Sequence, residues 1–122
     1  DVPGASRYFT HGWITYSNEA KIGELGVPAE LIERYGAVSE QVAQWMAQGA
    51  RRKAGTDFAI GITGIAGPTG GTEQKPVGLV YISIDSGTGY QTKRCLFSHD
   101  RRSMRLRAAQ TALNMLRLRL NI

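Results

Sequence analysis

The sequence predicts a three-layer α/β domain in which helices cover a mixed sheet. Two observations carry that reading. The elements run in the order β-α-α-β-β-β-α, and two segments near 39–54 and 101–119 repeat apolar residues at helical spacing. A chain of 122 residues, 42% hydrophobic and 20% charged, is long enough to bury a normal core as one domain.

The first strand is expected within the segment from Arg7 to Tyr16, which is rich in aromatic and β-branched residues, and Ser17-Asn18 breaks it. A turn or short helix follows at Asn18–Ile22. Gly26-Val27-Pro28 then punctuates the chain before a second short helix at Pro28–Tyr35, which Gly36 ends. Ser39 is placed to cap a longer helix, with Glu40 in its first turn. Val42, Met46 and Ala50, with Ala43, Ala47 and Ala54 beside them, draw its apolar stripe; Arg51, Arg52 and Lys53 crowd its last turn before Gly55. Trp45 and Met46 read as core residues.

Phe58–Thr63 reads as a strand, and Leu79–Ile84 and Tyr90–Phe97 read as an antiparallel hairpin turned at Asp85–Gly89. The later strand alternates more and belongs nearer an edge. Trp13–Tyr16, Phe58–Thr63, Leu79–Ile84 and Tyr90–Phe97 are expected in one sheet. Ser98 or Asp100 caps the final helix, on which Met104, Ala108, Ala112, Met115 or Leu116, and Leu120 trace the apolar stripe. Arg101, Arg102, Arg105 and Arg107 stand near its start against the dipole preference and hint at an anionic ligand nearby. Arg117 and Arg119 stand at the favoured end and read as solvated.

The formal charge of +5 suits an anionic partner. No run approaches the ~18 apolar residues of a membrane span, and Asp1-Val2-Pro3-Gly4 lacks the features of a signal peptide, so a cytoplasmic location is the default expectation and no membrane partner is expected. The single Cys95 reads as a small buried hydrophobe. His11 and His99 lie far apart and no metal-ligand spacing is present, so neither a metal nor a cofactor is expected.

The stretch that organises the chain is the glycine-rich loop Thr63-Gly64-Ile65-Ala66-Gly67-Pro68-Thr69-Gly70-Gly71-Thr72, set between two strand-like runs. Glycines let a backbone approach a ligand closely, and successive N–H groups can form an anion-binding nest. The same composition also suits a long hairpin connection. The loop is not a Walker A motif, because no Gly-Lys-Ser/Thr closes it. Nor is it a dinucleotide fingerprint, because Pro76 and a strand follow where a helix would begin.

Several stretches carry a resemblance. They are Asp1-Val2-Pro3-Gly4, Tyr8-Phe9, Tyr16-Ser17-Asn18-Glu19-Ala20-Lys21, Leu25-Gly26-Val27-Pro28, Gly36-Ala37-Val38-Ser39, Thr63-Gly64-Ile65-Ala66-Gly67-Pro68, Gly70-Gly71-Thr72 and Lys75-Pro76-Val77-Gly78. In this order they resemble the C-terminal domain of the CinA competence/damage-inducible proteins, over nearly the whole chain apart from a looser final helix. That family includes nicotinamide-nucleotide amidases, also called NMN deamidases, which hydrolyse nicotinamide mononucleotide to nicotinic acid mononucleotide and ammonia. In the family pattern a helix opening with Glu-Ser-x-Thr-Gly-Gly precedes the Asp-Val-Pro-Gly turn and carries a nucleophilic serine. This sequence begins at the turn, so the resemblance implies an amidase domain, residues 1–122, that lacks its first helix and is nearly inactive without the upstream serine.

The resemblance also implies roles. Lys21 would act as base toward the serine if burial or a neighbouring cation kept it neutral, and Tyr16 would relay protons or orient the pair. Asn18, Thr63, Gly64, Gly67, Gly70 and Gly71 would line the substrate site, with Arg101 or Arg105 meeting the substrate phosphate. A small nucleotide substrate and a homo-oligomer are the implied partners. Two other functions stay open. One is a noncatalytic nucleotide-phosphate-binding or protein-interaction module. The other, nucleic-acid binding through the arginine-rich last helix, has no stacking aromatics or recognised motif behind it.

Overall fold

The structure, a computed structural model, describes residues 23–65, 70–97 and 100–120. After a helical turn at residues 23–25, the described elements are α1 (Ala29–Tyr35), α2 (Glu40–Ala54), β1 (Ala59–Gly64), β2 (Leu79–Asp85), β3 (Tyr90–Leu96) and α3 (Arg101–Leu120). The three strands form one sheet in the order β1-β2-β3, and both pairings are antiparallel. The strand expected at Trp13–Tyr16, on which a mixed sheet would rest, lies outside the described residues.

Alternation along the middle strand builds the layers. Val80, Ile82 and Ile84 of β2 share one face, where they form a cluster with Met104, Ala108, Ala112 and Met115 of α3. Phe58, Ile60, Cys95, Phe97 and Leu116 pack around that cluster. Each fully buried aliphatic side chain contributes about 1.5–3 kcal/mol of transfer free energy. The α3 stripe matches the expected one, with Leu116 and Leu120 only half-buried at its flank.

On the opposite face lies α2. Its Ala43 and Ala47 are fully buried against β1 at Gly61, where a Cβ would run into the Ala43 carbonyl and come within 2.7 Å of the Ala47 nitrogen. Ser39 caps α2 as expected, accepting from Val42 N–H at 3.2 Å. Leu25, Val27, Ile32, Val42 and Met46 form a second cluster between the α1 region and α2, with Trp45 partly buried against it. Helices on both faces of one sheet make the three layers the sequence predicts.

The strand bounds shift slightly from expectation. β1 begins at Ala59 because the Phe58 carbonyl accepts from the Thr56 hydroxyl, and it runs on to Gly64, which pairs with Val80. At the start of α3 the cap is Asp100, whose Oδ1 accepts from Ser103 N–H at 3.0 Å; Ser98 lies outside the described residues. Cys95 is half-buried on the α3 face, where burial pushes its thiol pKa up and Lys93 partly opposes that.

Three arginines do more than their helix positions suggest. Arg51, in the last turn of α2, donates through Nε to Asp85 Oδ2 at 2.7 Å, joining α2 to the end of β2. Arg119, expected to be solvated, donates through Nη2 to the Ser86 hydroxyl at 3.0 Å and ties the end of α3 to the β2–β3 turn. Arg117 likewise hydrogen-bonds Asn114. Replacing Arg51 by Met would strand the Asp85 carboxylate, whose side chain is only 11% exposed. Stability should then fall by about 1–3 kcal/mol, seen as a lower urea midpoint with an unchanged slope. An unchanged midpoint would show that the pair adds nothing beyond what water supplies to the separated ions.

Candidate functional site

Strand directions gather the candidate residues at one end of the sheet. β1 ends at Gly64, β2 starts at Leu79 and β3 ends at Leu96, so the glycine-rich connection, the end of β3 and the start of α3 meet there. Backbone hydrogen bonds lace this end together. Ile65 N–H donates to the Leu79 carbonyl, Gly78 N–H to that of Ile65, and Phe97 N–H to that of Gly78, each at 2.8–2.9 Å. Topologically the loop is a long hairpin connection, since β1 and β2 are antiparallel neighbours. It is nevertheless fastened at both stems.

The upstream stem is held by Thr63. This residue is buried, and its hydroxyl donates to the Ala37 carbonyl at 2.8 Å, across from the α1–α2 junction. The Thr63 proton is therefore committed to the scaffold, and only the oxygen's acceptor capacity is left for a ligand. The downstream stem is held by a turn in which Thr72 N–H donates to the Lys75 carbonyl at 2.8 Å and Lys75 N–H to the Thr72 hydroxyl at 3.0 Å. Beyond that turn, Lys75 Nζ donates to the Tyr35 carbonyl, the last of α1.

Of the predicted site residues, Gly64, Gly70 and Gly71 are exposed around this loop, and Arg101 and Arg105 are exposed in the opening turns of α3 at the same end. The structure thus brings the loop glycines and the two arginines to one end of the domain. Among the described residues no hydrogen bond or ion pair joins the arginines to the loop. Tyr16, Asn18, Lys21 and Gly67 lie outside the described residues. Two surface cavities are formed elsewhere, one of about 380 Å³ beside Trp45 and Gly49 and one of about 430 Å³ between Arg51, Ser86 and Arg119 at the far end. The segment around Tyr16 and Lys21, expected to line the same site, lies outside the described residues.

The comparisons with known proteins now bear on this end. The profile of the CinA C-terminal domain matches residues 1–120. The chain belongs to that family. A CinA-like protein of Syntrophomonas wolfei is 53% identical over 117 residues, covering 96% of this chain and 28% of that protein. The chain thus spans less than a third of the length of the curated relatives it matches. Among solved structures, competence damage-inducible protein A (ComA) from Klebsiella pneumoniae superposes with a TM-score of 0.83 at 37% identity, over 88% of this chain and 66% of that one. The competence/damage-inducible protein CihA from Agrobacterium tumefaciens superposes with a TM-score of 0.79 at 41% identity, again over 88% of this chain and 66% of that one. The CinA C-terminal fold is therefore the fold of this chain.

Sequence reading finds the loop of this CinA domain but not its fastenings. Lys75 and Tyr35 are 40 residues apart and Thr63 and Ala37 are 26 apart, so no local pattern announces either bond. The only local trace is the cluster of small residues Gly36-Ala37, a place where another chain segment can approach. Replacing Thr63 by Val keeps the β-branched shape and removes only the hydroxyl. The half-buried Ala37 carbonyl then loses its donor, and thermal unfolding should show a loss of about 1–2 kcal/mol. A neutral result would mean that water takes the place of the hydroxyl.

Proposed function

We propose that this CinA domain is the amidase part of a nicotinamide-nucleotide amidase, hydrolysing nicotinamide mononucleotide to nicotinic acid mononucleotide and ammonia in the cytoplasm. The observation that carries the reading is the convergence of a fastened, glycine-rich loop and the arginine-bearing start of α3 at one end of the sheet, in a chain with the family's Tyr-Ser-Asn-x-x-Lys and Thr-Gly-Ile-Ala-Gly-Pro stretches. A phosphate needs charge-assisted donors, which backbone N–H groups of the loop and the Arg101 or Arg105 guanidinium supply.

The chemistry follows from amide hydrolysis. A nucleophile attacks the carboxamide carbon, an oxyanion develops, and the departing ammonia takes a proton. The nucleophile in this reading is the serine that the family pattern places upstream of the Asp-Val-Pro-Gly turn. Lys21 removes its proton and returns it to the leaving nitrogen, and Tyr16 orients the pair. Water then releases the acid. Asn18 and Gly67 complete the lining with Thr63, Gly64, Gly70 and Gly71.

Ammonia release from nicotinamide mononucleotide tests the reading in three proteins: this chain, a chain extended upstream through the serine helix, and the extended chain with Lys21→Ala. The first should be nearly inactive, the second active, and the third lowered by roughly 10²–10⁴, as for loss of a positioned acid–base group. Full activity in the first would make another residue the nucleophile, and an unaffected Lys21→Ala variant would remove the serine–lysine mechanism. Nucleotide binding without ammonia release in the extended chain would identify a noncatalytic binding module instead.

Self-association belongs to the same proposal. Leu106 and Leu113, seven residues apart on one side of α3, are 60% and 45% exposed, and Leu118 and Leu96 are each 58% exposed. A second copy covering Leu106 and Leu113 would bring arginines close to arginines, so the oligomer should strengthen as salt rises. Light scattering at micromolar concentration should report an oligomer that Leu106→Ser with Leu113→Ser dissociates. A monomer at every salt concentration would count against it.

A further inference from the structure

We propose that Lys75 is a positioning residue: its ammonium is the clasp that hangs the downstream stem of the glycine-rich loop, residues 70–78, on the α1–α2 junction and so holds that stem in place for a ligand. The proposal rests on the reading of that loop as the nucleotide site and adds a residue to it.

Several observations place the clasp. Lys75 is half-buried, and its Nζ donates to the Tyr35 carbonyl, where the partial negative charge of the α1 C-terminus gathers. Gly36, immediately after, takes a φ of +82°, and a Cβ there would come within 2.8 Å of Nζ, so the junction is shaped to admit the ammonium. Among the described residues the partner of the Lys75 ammonium is this helix end, not a carboxylate. Lys75 is also the closing residue of the Thr72–Lys75 turn, held from both sides by the Thr72 backbone and hydroxyl.

The junction receiving the clasp is itself rigid. Gly36 N–H donates to the Ile32 carbonyl at 2.7 Å, and the Ser39 hydroxyl donates to the Gly36 carbonyl at 3.0 Å while capping α2. Two residues past Tyr35, Ala37 receives the Thr63 hydroxyl from the upstream stem. Both stems of the loop therefore hang from the one short segment Tyr35–Ser39. Lysine suits the downstream position because its long stem reaches a carbonyl on another element and its point charge is drawn to a helix C-terminus. A loop fixed at both stems has less conformational freedom to lose when an anion settles on it, which raises affinity without adding a contact to the ligand.

The test uses the chain as it stands with Lys75→Met, which keeps length and apolar stem but removes charge and donor, and with Lys75→Arg, which restores both. Amide hydrogen exchange should quicken about tenfold or more across residues 70–78 in Lys75→Met while α2 and β2 keep their protection, and Lys75→Arg should recover most of the difference. Calorimetric titration with nicotinamide mononucleotide should show affinity about tenfold weaker in Lys75→Met, because binding must then order a stem the clasp no longer holds. Unchanged exchange at 70–78, or a rise spread equally through α2 and β2, would overturn the clasp. Wild-type protein that binds no nicotinamide mononucleotide would overturn the nucleotide reading, while the exchange data would still decide whether Lys75 holds the loop.

Discussion

Everything at the loop end of this domain depends on how closely α2 can approach β1. Gly61 has no side chain, and the backbone of α2 fills the space at Ala43 and Ala47. Any Cβ at position 61 would push the helix outward by more than a packed interior tolerates. Because α2 sits so close, its capped start lies level with the end of β1, and the Ala37 carbonyl comes within reach of Thr63. A contact between a small-residue helix face and a bare strand position thus fixes where the loop begins.

The middle strand passes this constraint across the sheet. Val80, Ile82 and Ile84 are fully buried under α3, and Leu79 and Ser83 are fully buried on the other face, so β2 can move toward neither layer. At the far end the ties are polar: Arg51 with Asp85, Arg119 with Ser86, and the Thr92 hydroxyl donating to that of Ser83 at 3.0 Å. At the loop end the ties are mostly single hydrogen bonds from loop to scaffold. The distribution keeps stability in the body of the domain and leaves the loop end supported by bonds worth about 1 kcal/mol each.

Much of this was legible in the sequence. The stripes of α2 and α3, the Ser39 cap, the strand runs and the glycine loop are local patterns, and local patterns follow from propensity and periodicity. A position near a helix end accounts for Arg119 as a solvated cation, while the Ser86 hydroxyl that receives it is 33 residues away. The last turn of α2 accounts for Arg51 in the same way, although Asp85 lies 34 residues on. The candidate site was legible as a loop and a motif. Its geometry was not, because what shapes the loop is a pair of long-range bonds to two backbone carbonyls, and carbonyls carry no residue identity.

That last point bears on why the loop can be both glycine-rich and ordered at its stems. Glycine lets a backbone bend close to a ligand but raises the entropy the loop loses on ordering. Closing a longer loop adds only about 0.6 kcal/mol for each doubling of length, so length is not the main cost; the freedom of the residues near the ligand is. The bonds of Ile65 to Leu79, Thr72 to Lys75 and Lys75 to Tyr35 remove that freedom at the two stems. In the proposed site the backbone donors would come from glycines and the stiffness from residues that hold the stems. The residues that govern affinity need not be the ones a binding motif advertises.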